Sequence, residues 1–507
     1  LPVIGSSMLL SIKRTNARIM KVERPPVLLL FFLISIGFHC LQRLHADSGE
    51  FLKPVGAGWN DCCSKIVREA QACGDQRLAA YIQNWPLPDE LGPTQSQVIA
   101  SIDKKLLEPA WLEKSSEHLW TDFVQLRQQR AFYFFERAKD EIQKQRRIPV
   151  RDGMQSSNNS IRLLVRVLRE NPDHKMSRRA LGYVKHRDQW VWPNVARQLT
   201  QKKEYSPEEG WLRNGKKTIQ SSPQTSSLLT GRLSAQTSDT TQQLFHSDHW
   251  HIRSTAGPPH TAALAKQLEL TRFIWRQVFG GFVLTPVELS RRIVGQARPR
   301  PTSLFKVVLL ANREEYIDSL QSLEPDIGKT LGIYWTPTQT AWFFSSQDLD
   351  SRTVEHEATH QLFAESWPTS PLAGSKHGMW ALEAAACYME SLEKTDFGFT
   401  VGGRQSGRVP AARERLLDDN FFLPLRQLSK LGRSALQNEP ELPKIYSQLS
   451  GLADFFMNGE GGRYRNAFIE YLVQLYRGTA EQETLWKLCR RSPEELDTEY
   501  KRYLSSP

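Results

Sequence analysis

The chain predicts an α+β protein in which a mainly helical N-terminal region precedes a mixed domain. Three observations lead to that class. Apolar residues recur at three- and four-residue spacing through 120–142 and 161–168, the stripe of amphipathic helices. FKVVLL at 305–310 is a short apolar run with paired β-branched residues and reads as a buried strand. Beyond it, strand-like runs give way to helical ones from about residue 352, so the two kinds of element are segregated rather than alternating.

The elements follow in order. Lys21 and Arg24 precede an apolar run at 27–38, VLLLFFLISIGF, and polar sequence follows with Ala46 as a candidate cleavage point. The run has the length of a signal-peptide core and falls short of the roughly 20 residues that span a bilayer comfortably. Residues 1–46 are therefore expected to be a signal peptide or an N-terminal membrane anchor; Leu44, not a small residue, keeps the uncleaved anchor open. Residues 47–200 read as mainly helical. Residues 201–243 shift to Lys, Ser, Thr, Gln and Gly, with SSPQTSSLLTGRLSAQTSDTTQQ at 221–243, and are expected to be a flexible linker that cannot bury enough apolar surface to order itself. The second domain, 244–507, opens with helix 262–279, strand 305–310 and helix 316–323. Two short aromatic-rich runs, 332–336 and 340–344, flank Pro337 and suit an edge hairpin.

At 507 residues the chain exceeds the size at which one core stops growing, which suggests two folded regions. Its 14 Trp and 40% hydrophobic content exclude a wholly disordered chain. A net charge of +11 permits contact with polyanions, yet Lys and Arg are dispersed and no nucleic-acid-binding motif is present, so no nucleic-acid partner is expected. The six cysteines are too few and too uneven for a disulfide scaffold. A bridge from Cys62 or Cys63 to Cys73 and simple burial both remain open.

The chemistry lies in His356-Glu357-Ala358-Thr359-His360, which spells H-E-x-x-H. On a helix, positions i and i+4 share one face a turn apart, so both imidazoles reach one zinc ion at about 2.0 to 2.1 Å. Glu357 lies one residue round, placed to take a proton from an attacking water. No Pro or Gly interrupts 353–364, so a helix is expected there. A catalytic zinc site needs a third protein ligand and keeps its fourth position open. Residues 380–392, WALEAAACYMESL, form a second helical run, in which Glu383 is a carboxylate among apolar neighbours; metal ligation would satisfy it. His377, in a glycine-flanked loop before that helix, is a competing ligand.

Two helices, one with H-E-x-x-H and the next with a ligating Glu, resemble the gluzincin, thermolysin-like branch of zinc peptidases. Residues 352–365, RTVEHEATHQLFAE, followed by W-x-x-E-x-x-A-x-Y-x-E from Trp380 to Glu390, are similar to an uncharacterised, usually exported peptidase-like family common in planctomycete bacteria. The likeness runs from about Phe245 to the C terminus and implies a thermolysin-like zincin domain with Zn2+ as cofactor. Two residues depart from the family pattern: Ala381 stands for Leu, and Ala384 for Gly. In the thermolysin-like class a carboxylate four residues after the third ligand orients a zinc histidine; here that position is Cys387, so another orienting group is required. Residues 181–198, LGYVKHRDQWVWPNVARQ, resemble an accessory segment of planctomycete exported proteins.

A peptidase also needs a donor for the oxyanion. Tyr446 matches the family's C-terminal region and is the candidate, with Tyr388 as the other. His246, Asp248, His249 and His251 fit neither one helix face nor one strand face, and read as a strand start with solvated histidines. The expectation is an exported zinc metallopeptidase acting on a peptide or protein substrate, with membrane association possible through 27–38. The alternative is a catalytically inactive zinc-binding domain that serves as a cell-surface or envelope binding module.

Overall fold

The computed structural model describes residues 57–85, 96–98, 108–147, 157–213, 242–346, 350–395 and 398–506. The chain divides into two units, 1–60 and 61–507. Of the first, residues 57–60 are described and open the helix Ala57–Ala72. The apolar segment 27–38 lies outside the described residues. Among those described, no helix is long and apolar enough to cross a membrane.

In the second unit, helix α1 (Glu117–Arg147) packs along α2 (Asn158–Glu170). Phe134, Phe135, Ala138 and Ile142 of α1 meet Ile161, Leu164 and Leu168 of α2 at the spacing that marked both helices in the sequence. Leu284, Leu289 and Ile293 complete the same core. One core therefore draws on residues from both sides of the segment expected to divide two domains.

Seven strands form a mixed sheet: β1 (Lys203–Ser206), β2 (Gly210–Arg213), β3 (Gln243–His246), β4 (Trp250–Ser254), β5 (Phe305–Leu310), β6 (Gly332–Trp335) and β7 (Thr340–Phe344). Their order is β1-β2-β3-β4-β5-β7-β6. The first two correct the expected linker: its opening residues form an antiparallel hairpin on the sheet edge. Tyr205 and Trp211 are cross-strand partners with ring centroids 5.4 Å apart, and the Trp211 indole N–H donates to Asp248 Oδ1 at 2.7 Å. Two aromatics anchor what the polar composition of 201–243 disguised. Residues 214–241 lie outside the described residues.

Strand β5 has parallel neighbours on both sides and alternates between two cores. Val307 and Leu309 face the main core, while Val308 and Leu310 face Tyr316 and Leu320 of helix α4 (Arg313–Leu320). That helix begins three residues earlier than expected because Asn312 caps it, its side-chain oxygen accepting from Glu315 N at 2.9 Å. The hairpin β6–β7 falls where expected, with β6 at the edge.

On the main-core face, helix α3 (Pro258–Val278) packs against α5 (Ser351–Glu365). Trp275 meets Phe363 edge-on at 5.1 Å, and Gln361 ties α5 to the sheet by donating to Lys306 O at 3.0 Å while its oxygen accepts from the Trp250 indole at 3.2 Å. Helices α6 (Met379–Met389) and α7 (Val409–Leu417) follow. Then come α8 (Leu442–Gly462), interrupted at Gly459 to Gly461, and α9 (Arg465–Arg477). The fold is mixed α+β.

Candidate metal centre

Helix α5 starts where Asp350 accepts from Arg352 N at 3.0 Å, and it buries Val354, Ala358 and Leu362. That burial fixes the rotation of the helix and turns His356 and His360 toward α6, all of whose residues from Met379 to Met389 are buried. The two Nε2 atoms lie 3.2 Å apart. Glu383 Oε2 lies 3.3 Å from His356 Nε2 and 3.6 Å from His360 Nε2. Donors bound tetrahedrally at zinc distances stand about 3.3 Å from one another, so the three atoms fit three corners around one ion. Two imidazole nitrogens and one carboxylate are also a donor set that suits zinc. Ala384 packs in the core, and Glu383 still reaches both histidines.

The charges agree with the geometry. Burial opposes a charged His356, but hydrogen bonds with Cys387, Glu383 and Glu390 hold its pKa well above the usual value. Burial likewise opposes an ionised Glu383, yet His360 and His356 pull it well below the usual carboxylate range.

The orienting carboxylate required in place of Cys387 is Glu390, whose Oε1 accepts from His356 Nδ1 at 2.6 Å. This fixes Nδ1 as the protonated nitrogen and leaves Nε2 free to bind. Seven residues beyond Glu383, it returns to the same face of the chain after two turns. Arg408 holds its other oxygen, Nε donating to Oε2 at 2.8 Å. Cys387 is buried beside His356, and burial together with Glu390 pushes its thiol up to about 11. His356, Cys387 and Glu390 thus form a second cluster of donor groups that shares His356 with the first.

Glu357 Oε2 accepts from the backbone N–H of Tyr334 at 2.7 Å, so the edge strand β6 holds this carboxylate. The Tyr446 hydroxyl, delivered by α8, donates to Glu383 Oε2 at 3.0 Å. Burial and the neighbouring Glu383 raise its pKa well above the usual value, so it stays a donor. Tyr388 is not brought to the cluster: its hydroxyl lies 3.2 Å from Val401 O and from Asn458 Oδ1 in the core. His377 joins no donor group among the described residues.

His246 lies on β3 and His251 on β4, as expected of a strand start, but His249, between the two strands, corrects the expectation of solvated histidines. His246 and His251 are register partners stacked at 4.6 Å, and His249 is buried with Nδ1 2.7 Å from Glu269 Oε2. Asp248, His249 and Glu269 cluster closely enough to suggest a cation, but protein donors already serve both carboxylates. Trp211 donates to Asp248, and Ser247 Oγ and His249 N donate to Glu269. That cluster reads as structural. Among the described residues Cys62, Cys63, Cys73, Cys387 and Cys489 are free thiols, so the bridge left open to Cys73 is not formed.

No family model matches this chain, and no curated protein or solved structure matches it either.

Proposed function

We propose that this chain is a zinc-dependent metallopeptidase with a thermolysin-like catalytic domain, hydrolysing a peptide or protein outside the cytoplasm. The observation that carries the reading is the triangle of His356 Nε2, His360 Nε2 and Glu383 Oε2, with sides of 3.2, 3.3 and 3.6 Å. Zinc held there would supply a Lewis acid that polarises the scissile carbonyl and acidifies the attacking water. Glu357, steadied by the Tyr334 N–H, takes the proton from that water and passes it to the leaving amine. Tyr446 carries a hydroxyl that donates to Glu383 Oε2; turning that donor from Glu383 to the substrate would let it meet the oxygen that gains charge as the carbonyl is attacked. Glu390 keeps His356 in the ring orientation that binding needs.

Export rests on the sequence of residues 27–38. The test of activity is cleavage of casein by purified protein with and without chelator. Hydrolysis that chelator abolishes and zinc restores is expected. A protein that binds zinc yet cleaves nothing is instead the inactive binding module.

A further inference from the structure

Arg408 enters none of the steps above, yet it reaches the supports of two candidate ligands. Its Nε donates to Glu390 Oε2 at 2.8 Å and its Nη2 lies 3.4 Å from Glu390 Oε1, the oxygen that accepts from His356 Nδ1. Its guanidinium carbon is 5.8 Å from the centre of the Tyr446 ring, whose hydroxyl is on Glu383. Glu390 is buried, so its charge needs this partner.

The loop that carries Arg408 is locked from below. It leaves strand β8 (Gly398–Val401) through Gly402, whose N–H donates to Ser391 Oγ at 2.7 Å. Gly402 has a φ of +77°, and a Cβ there would fall 2.3 Å from Asn458 Nδ2 and 2.6 Å from Asp454 Oδ1, so only glycine fits. The next N–H, of Gly403, donates to Asp454 Oδ1 at 2.7 Å, and Asp454 is held in turn by Tyr503 and Asn458. A buried lock therefore sets the chain that presents Arg408 just before α7.

We infer that Arg408 is a positioning residue of the metal centre, acting through Glu390 to fix the ring of His356. Arg suits this place because its planar fork meets both carboxylate oxygens at once, which a lysine ammonium cannot do. The inference rests on the proposed metal centre and is tested separately from it.

Zinc affinity is measured by competition with a chromophoric chelator for wild type, Arg408→Met, Arg408→Lys, Glu390→Gln and the Arg408→Met/Glu390→Gln double variant. Arg408→Met is expected to weaken binding about tenfold to a hundredfold, the usual cost of losing such a support, with Arg408→Lys between it and wild type. In the Glu390→Gln background the same change is expected to add less than about twofold, because the two residues act in series. In metal-free protein, an exchange-protected Nδ1 proton of His356 is expected by NMR in wild type and not in Arg408→Met. Wild-type affinity in a folded Arg408→Met protein, or an undiminished effect in the Glu390→Gln background, would overturn the inference. If wild type takes up no zinc, the metal-centre reading fails instead, and a His356 Nδ1 proton equally protected in Arg408→Met would overturn Arg408's role as well.

Discussion

The imidazole of His356 and the carboxylate of Glu390 meet at 2.6 Å, on the side of the ring away from His360 and Glu383. Glu390→Gln removes the charge that holds the Nδ1 proton while keeping size. Zinc affinity is expected to fall about tenfold to a hundredfold, read by chelator competition. Unchanged affinity would mean that the contact is incidental.

The other two glutamates should fail differently. Glu357→Gln is expected to keep one zinc per chain while casein turnover drops about a hundredfold or more, the value of a general base. Glu383→Gln exchanges an anionic donor for a neutral amide, so affinity itself should fall and excess zinc should restore part of the activity. Metal analysis and turnover on the same preparations separate the roles; the opposite pattern would reverse them.

For Tyr446 the hydroxyl is the question. Tyr446→Phe is expected to lower kcat on the order of a hundredfold, with zinc content and KM little changed, as for removal of one oxyanion donor. If zinc affinity falls and kcat at saturating zinc does not, the hydroxyl serves only to hold Glu383.

Away from the centre, Glu470 on α9 is buried, and one of its oxygens has no hydrogen-bond partner. Burial pushes its pKa from 4.5 up to about 7, with Gln474 offsetting only part of that. An acid raised in the folded state keeps its proton where the unfolded chain has lost it, so its cost to stability grows between pH 4.5 and 7 and is constant above. Glu470→Gln should therefore stabilise the protein at pH 8 relative to wild type, by at most about 3 kcal/mol, and make no difference near pH 4. Denaturant melts at the two pH values check this; equal effects at both would show that the carboxyl is not strained.

What the sequence shows of the candidate site is what a single helix encodes. His356 and His360 lie a turn apart in sequence and in space, and Glu383 stood out as a charge in an apolar helix. Glu390 is equally legible, since i+7 closes two turns, although the fourth residue after Glu383, where a carboxylate is expected, is Cys387. Arg408 and Tyr334 could not be read, because a loop and a sheet edge bring them to the helices from elsewhere in the chain. For the same reason His249 looked solvated: its partner Glu269 lies twenty residues on, in another element. The edge hairpin was legible from its aromatic runs and Pro337, whereas averaging over 201–243 hid the hairpin that Tyr205 and Trp211 close.

Whether His356, His360 and Glu383 hold zinc is read from the zinc content of the purified chain after loading and dialysis, by elemental mass spectrometry, beside a His356→Asn/His360→Asn variant. One zinc per wild-type chain and none in the variant is the predicted result. A wild type without zinc, or a variant that retains it in full, would show that these residues do not form the metal centre.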